Sequence, residues 1–142
     1  MPATPDAPTL AFDLGTRWIG VAIGHPLGGG ARALKTLPAD DWPALDALVA
    51  DWQPAQLVVG LPLTLDGGEQ AMTRRARAFA DTLGQRYARP VHLSDERGSS
   101  QEAARRFAQQ RAAGSARRKH AAELDSLAAA VILDQWFSSA GR

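Results

Sequence analysis

Leu10-Ala11-Phe12-Asp13-Leu14-Gly15-Thr16, followed at once by Trp18-Ile19-Gly20-Val21-Ala22-Ile23-Gly24, decides how this chain is read. Two apolar runs of strand length are separated by a Gly-Thr break, which predicts a hairpin. Asp13 is a bare carboxylate inside the first run. Burying a lone carboxylate is costly unless it is paired, hydrogen-bonded or bound to a cation. It is either a turn aspartate at a strand end or a ligand, and the rest of the chain has to separate the two.

The chain is 142 residues long and 45% hydrophobic, enough for one domain with an ordinary core and too short for two. No apolar segment approaches the roughly 18 to 20 residues of a membrane span. The first eight residues hold three prolines and no basic-then-apolar pattern. They read as a disordered leader, residues 1–8, ahead of a single domain at 9–142, with a cytoplasmic location expected. With no cysteine, disulfide scaffolds, thiolate metal sites and thiol catalysis are excluded.

The net charge of +1 hides an asymmetry. Residues 1–69 carry three basic and eight acidic side chains, whereas residues 70–142 carry thirteen and seven. The stretch 105–119 holds Arg105, Arg106, Arg111, Arg117, Arg118 and Lys119 without an acid. Such a run suits a polyanion, because neutralising phosphates releases counterions, or else it is a solvated Arg-rich surface.

After the hairpin, Ala33–Leu37 fits a third meander strand. Asp40 or Asp41 can cap a helix with Pro43 in its first turn, and Leu45, Leu48, Val49 and Trp52 give it one apolar face. Leu57–Leu61 reads as a strand buried on both faces. The loop from Pro62 to Gly68 stands at its carboxyl end, where open α/β sheets place ligands. A helix over 72–87, a short strand at 90–94, a helix over 99–113 begun by a Ser99/Glu102 capping box, and a last helix from about 119 to 137 complete the chain. An antiparallel three-strand meander passing into strand–helix units predicts an α/β fold with a mixed five-stranded sheet and helices on both faces.

Three acids stand out: Asp13 in the first strand, Glu96 at the end of the last, and Asp125 in the final helix, with small Ala128 and Ala129 one turn on. If they converge, cations must separate them. Hard divalent ions, Mg²⁺ or Mn²⁺, take oxygen ligands, and a two-metal site can activate water and stabilise the leaving oxygen of a phosphodiester.

Four blocks resemble the YqgF family, also called RuvX, of RNase H-like pre-16S rRNA nucleases related to the RuvC resolvases. They are Phe12-Asp13-Leu14-Gly15-Thr16 with Ile19–Ala22; Val58–Leu63 with Asp66-Gly67; Asp95-Glu96-Arg97 with Ser99, Ser100 and Ala103; and Asp125 with Ala128, Ala129, Ile132 and Leu133. The resemblance implies an RNase H-like fold, maturation of the 5′ end of 16S rRNA, and Asp13, Glu96 and Asp125 as metal-binding acids. The chain departs from the family pattern at Gly98, where Leu is usual. Ala122 stands where related nucleases often have a fourth acid or a histidine, and His120 is the nearest histidine to Asp125.

Around that site, Arg97 can contact a phosphate or pair with Asp95 or Glu96. Thr16 can bond across the turn or touch a phosphate, and Arg117, Arg118 and Lys119 are the expected substrate contacts. RNA is the expected partner, with a DNA junction as the alternative substrate and a non-catalytic nucleic-acid binder as the alternative class. Either a monomer or a homodimer fits, with Trp136-Phe137 expected as exposed residues at the end of the last helix. An actin-like ATPase or sugar kinase shares the Asp-x-Gly-Thr loop but needs a second phosphate loop that this length cannot hold.

Overall fold

A computed structural model describes residues 7–28, 30–64, 66–95 and 120–140, with the side chains of 120–125 and 140 outside the description. The expected helix over 99–113 and the leader's first six residues lie outside the described residues. Among the described residues there are five strands: β1 Thr9–Leu14, β2 Trp18–Gly24, β3 Ala31–Pro38, β4 Gln56–Leu61 and β5 Val91–Asp95. The described helices are α1 Trp42–Trp52, α2 Ala71–Tyr87 and α3 His120–Ala140.

The strands form one sheet in the order β3-β2-β1-β4-β5. β1 pairs antiparallel with β2, and β2 with β3, while β4 runs parallel to both β1 and β5. This is the expected mixed sheet. The meander follows from tight turns; the parallel strands follow from the helical crossover that α2 supplies. Both of β4's ladders are occupied, which accounts for its continuous apolar run, with Leu57, Val58 and Val59 fully buried.

Alternation along β1 sorts its side chains between two layers. Leu10 and Phe12 join Ile19, Val21, Leu45, Leu57, Val59, Phe79 and Leu83 in the larger core under α1 and α2. Phe79 meets the edge of Phe12 at 5.8 Å between centroids and lies 5.7 Å from Trp42. Ala11 turns the other way, into a core shared with Ala22, Val58, Ala129, Ala130, Ile132 and Leu133. Helices therefore cover both faces, as expected.

Small residues let α3 lie close to the sheet. Ala129 is fully buried, and a Cβ built on Gly24 would stand 2.8 Å from Cε2 of Phe137 and 3.1 Å from Cδ2 of Leu133. Only glycine admits that approach. Trp136 lies 5.0 Å from His92 between ring centroids. Trp136 and Phe137 are half-buried against the Ala11 core rather than exposed, which corrects the sequence expectation. The helix's apolar stripe continues through 129, 132, 133, 136 and 137 and stays on the sheet to that point.

β3 begins earlier than its apolar content suggests. The Ala31 N–H donates to Oδ1 of Asp134 at 2.9 Å, which fixes the start of the strand to α3. A bulge then follows: Val21 pairs with Lys35 but Ala22 with Ala33, leaving Leu34 as the extra residue. Leu34 and Leu37 consequently both serve the larger core, and Ala33 packs on α3.

Capping also follows the sequence. Asp41 accepts from the Ala44 N–H at 3.1 Å, and Pro43 lies in the first turn. Gln53 ends α1 in the left-handed conformation, just before Pro54.

A candidate active site at the carboxyl ends of the central strands

Asp13 lies on the face that carries Ala11, beneath α3, and is half-buried. Its register partner on β2 is Gly20, which in turn faces Thr36 on β3. On the other side, Phe12 lies beside Val59, so the next step of the two parallel strands sets Gly60 alongside Asp13. Gly60 is in register with Ser94 on β5. The row across this face is therefore Thr36, Gly20, Asp13, Gly60 and Ser94. The two residues that flank the carboxylate in that row are both glycines, and both are buried.

This row sits at the carboxyl ends of β1, β4 and β5, the usual ligand edge of a sheet with parallel strands. The course of α3 points the same way. Its C-terminal part touches Gly24 and His92, which are level with Thr9 and Val58 near the start of the parallel strands. Its N-terminal turns, including position 125, consequently lie toward the Asp13 end. Position 125 is one helical turn before Ala129 and two before Ile132.

The hairpin tip is tightly held. The Gly15 N–H donates to the Trp18 carbonyl at 2.8 Å, and the Ala39 N–H to the Arg17 carbonyl at 2.7 Å. Thr16 stands exposed in that turn. Beyond β4, Thr64 Oγ1 bonds Asp66 Oδ1 and accepts from the Gly68 N–H at 2.8 Å. Asp66 Oδ1 also accepts from the Gly68 N–H at 3.1 Å, an Asx-type turn. The fully buried Thr73 joins this loop to α2: its hydroxyl donates to the Pro62 carbonyl and accepts from the Gln70 N–H at 3.0 Å. Sequence reasoning passed over Thr73, although a threonine three residues into a helix is a recognisable capping position.

The opposite face holds a cavity of about 220 Å³ lined by Leu14, Ile19, Trp42, Leu45 and Phe79, with Asp40, Asp41 and Arg75 among its polar lining. The sheet separates it from Asp13. On the helix side, a groove bounded by Ser94, Asp95, Asp134 and Trp136 runs between β5 and α3. Among the described residues an ion-pair cluster lies away from the row, between α1 and α2. Arg86 grips Asp46 through two bonds of 2.7 Å, and Tyr87 donates to the same carboxylate at 2.7 Å. Those bonds hold the Asp46 carboxyl down at about 2, while burial and then the Asp46 bond push the Tyr87 phenol up.

Of the expected site residues, the described structure thus contains Asp13 and Thr16, and the backbone of 125. Glu96, Arg97, Arg117, Arg118, Lys119 and the side chains of His120 and Asp125 lie outside the described residues. Glu96 follows directly on Asp95, the last residue of β5. Among the described residues no group of three or more His, Asp or Glu is gathered for a metal, and none of the helices is long and apolar enough to cross a membrane.

Strand order, helix layers and an acid on the first strand define an RNase H-like α/β domain of the RuvC kind. The structure of Thermus thermophilus RuvC superposes with a TM-score of 0.57 at 15% identity, covering 94% of this chain and 96% of that one. The same protein in complex with a Holliday junction substrate gives 0.59 over 94% and 95%. A family model described as RuvX, Holliday junction resolvase, matches residues 7–139, and the chain belongs to that family. A Xanthomonas campestris protein carrying the name pre-16S rRNA nuclease is 54% identical over 139 residues, 95% of this chain and 90% of that protein. A Xylella fastidiosa protein of the same name is 54% identical over 138 residues, 94% and 89%. This chain is a nuclease.

Proposed function

We propose that the nuclease is metal-dependent, works in the cytoplasm and matures the 5′ end of pre-16S rRNA, with Asp13, Glu96 and Asp125 as its metal-binding acids. The observation that carries this is Asp13: a half-buried carboxylate at the ligand edge of the sheet, flanked by Gly20 and Gly60. Glycine inside a strand marks a place where a ligand or another backbone approaches closely. The relatives' name supports RNA as the substrate.

The donor set fits Mg²⁺ or Mn²⁺, since carboxylate oxygens are hard ligands and no thiolate exists in the chain. When bound, a pair of such ions would lower the pKa of a water and stabilise the departing 3′ oxygen. The protein's part is placement. Asp13 is held on a central strand with hydrogen-bonded neighbours on both sides, a rigid mounting for a ligand. Glu96, next after β5, and Asp125, on the first turns of α3, would bring two further carboxylates to the same edge. Arg97, Thr16, Arg117, Arg118 and Lys119 would hold phosphates, and the basic run would supply the salt-dependent part of binding.

Asp13→Asn tests this reading. The variant keeps shape and fold and should lose cleavage of precursor rRNA in Mn²⁺ or Mg²⁺ by a factor of about a thousand or more, an effect of the size that metal-assisted catalysis supplies. Wild-type cleavage by that variant would remove Asp13 from the site. Precursor rRNA, generic single-stranded RNA and four-way DNA junctions, assayed side by side, separate the rRNA reading from resolvase activity.

A further inference from the structure

Trp18 is 44% exposed, one of three large apolar side chains described as exposed, together with Leu27 and Leu93. It opens β2, where Ile19, Val21 and Ile23 serve the larger core and Gly20, Ala22 and Gly24 face α3. Alternation assigns Trp18 to the α3 face, the face of Asp13. It stands two residues before Gly20, the register partner of Asp13. That is a step of about 7 Å along the strand and about 5 Å across to the next, the span of a single nucleotide.

Its mounting is rigid. The Trp18 carbonyl accepts from Gly15 N–H, the Arg17 carbonyl accepts from Ala39 N–H, and Pro38 is its register partner on the edge strand. Exposed Thr16 and Arg17 precede it. Leaving an indole in water forgoes the free energy of burying it, unless a ligand covers it. An aromatic ring held beside a phosphate-cleaving site, with a cation next in sequence, has the makings of a stacking platform for single-stranded nucleic acid.

We infer that Trp18 stacks an unpaired nucleobase adjoining the phosphate handled at Asp13, so that the enzyme selects single-stranded RNA over duplex. The inference rests on the nuclease site proposed above. A base within a duplex is already stacked on both faces and cannot use the ring; a single-stranded base can.

Anisotropy titrations of a labelled single-stranded RNA and of its duplex, in EDTA so that nothing is cleaved, test it. Trp18→Ala should bind the single strand about tenfold or more weakly and the duplex unchanged. Trp18→Phe should keep most of the affinity, whereas Trp18→Leu, apolar but without a π face, should lose it. The Phe and Leu pair carries the test if the alanine variant fails to fold. Equal affinity of Trp18→Leu and wild type for the single strand, or equal losses on both RNAs, overturns the inference. If the wild type itself binds neither RNA, the nuclease reading fails with it; if only the variants behave like wild type, the stacking role alone falls.

Discussion

Asp134 and Ala31 are 103 residues apart and joined by a 2.9 Å hydrogen bond from backbone N–H to carboxylate. The bond anchors the first residue of the edge strand to the last helix. Asp134→Ala leaves that N–H without this acceptor and should cost about 1–3 kcal/mol. Asp134→Asn retains a carbonyl acceptor and should cost less. Urea unfolding of the two variants beside wild type checks the order.

Gly24 is set by the approach of α3. Gly24→Ala places a methyl against Phe137 and 3.1 Å from the Gly30 carbonyl oxygen, so the helix or the loop has to shift. The expected loss is about 1–3 kcal/mol, as for other overpacked sites. Adding Phe137→Leu should recover part of it, and a double-mutant cycle in urea measures the coupling.

Thr73 ties the loop after β4 to α2 from a fully buried position. Thr73→Val preserves the shape and removes both bonds, with an expected cost of about 1–3 kcal/mol. Thr73→Ser should retain most of the stability. Melting temperatures of the three proteins decide it.

The Asp46–Arg86–Tyr87 cluster predicts an acid-sensitive link between α1 and α2. Folding lowers the Asp46 carboxyl from 3.8 to about 2. The sign follows: its contribution is present above the unfolded value and is lost as pH falls through about 2. Asp46→Asn should therefore be less stable than wild type at pH 6. That difference should shrink through the window between about 4 and 2 and vanish below it. Both side chains are solvent-exposed, so added salt should shrink it at every pH. Denaturant midpoints across pH read all three effects.

The sheet was legible because its signals are local and periodic. The apolar runs of β1, β2 and β4, the Gly-Thr break and the Asp41–Pro43 cap each report on neighbours in sequence. Asp13 was legible for the converse reason: a charge interrupting an apolar run. What escaped was long-range. Nothing near Ala31 announces that Asp134 will set the start of β3, and nothing near Thr73 announces the Pro62 carbonyl. Trp136 and Phe137, expected as exposed, are covered by contacts distant in sequence, from β2 and β5. The register that flanks Asp13 with Gly20 and Gly60 was equally invisible, since pairing is a property of the assembled sheet.

α3 is the last helix made, yet it closes the face that carries Asp13 on the first strand. A ribosome still elongating this chain holds an acid with no roof over it and without the later residues that would share its site. Should Asp125 act with Asp13, a nascent chain that has not yet exposed α3 lacks one of the acids of its site.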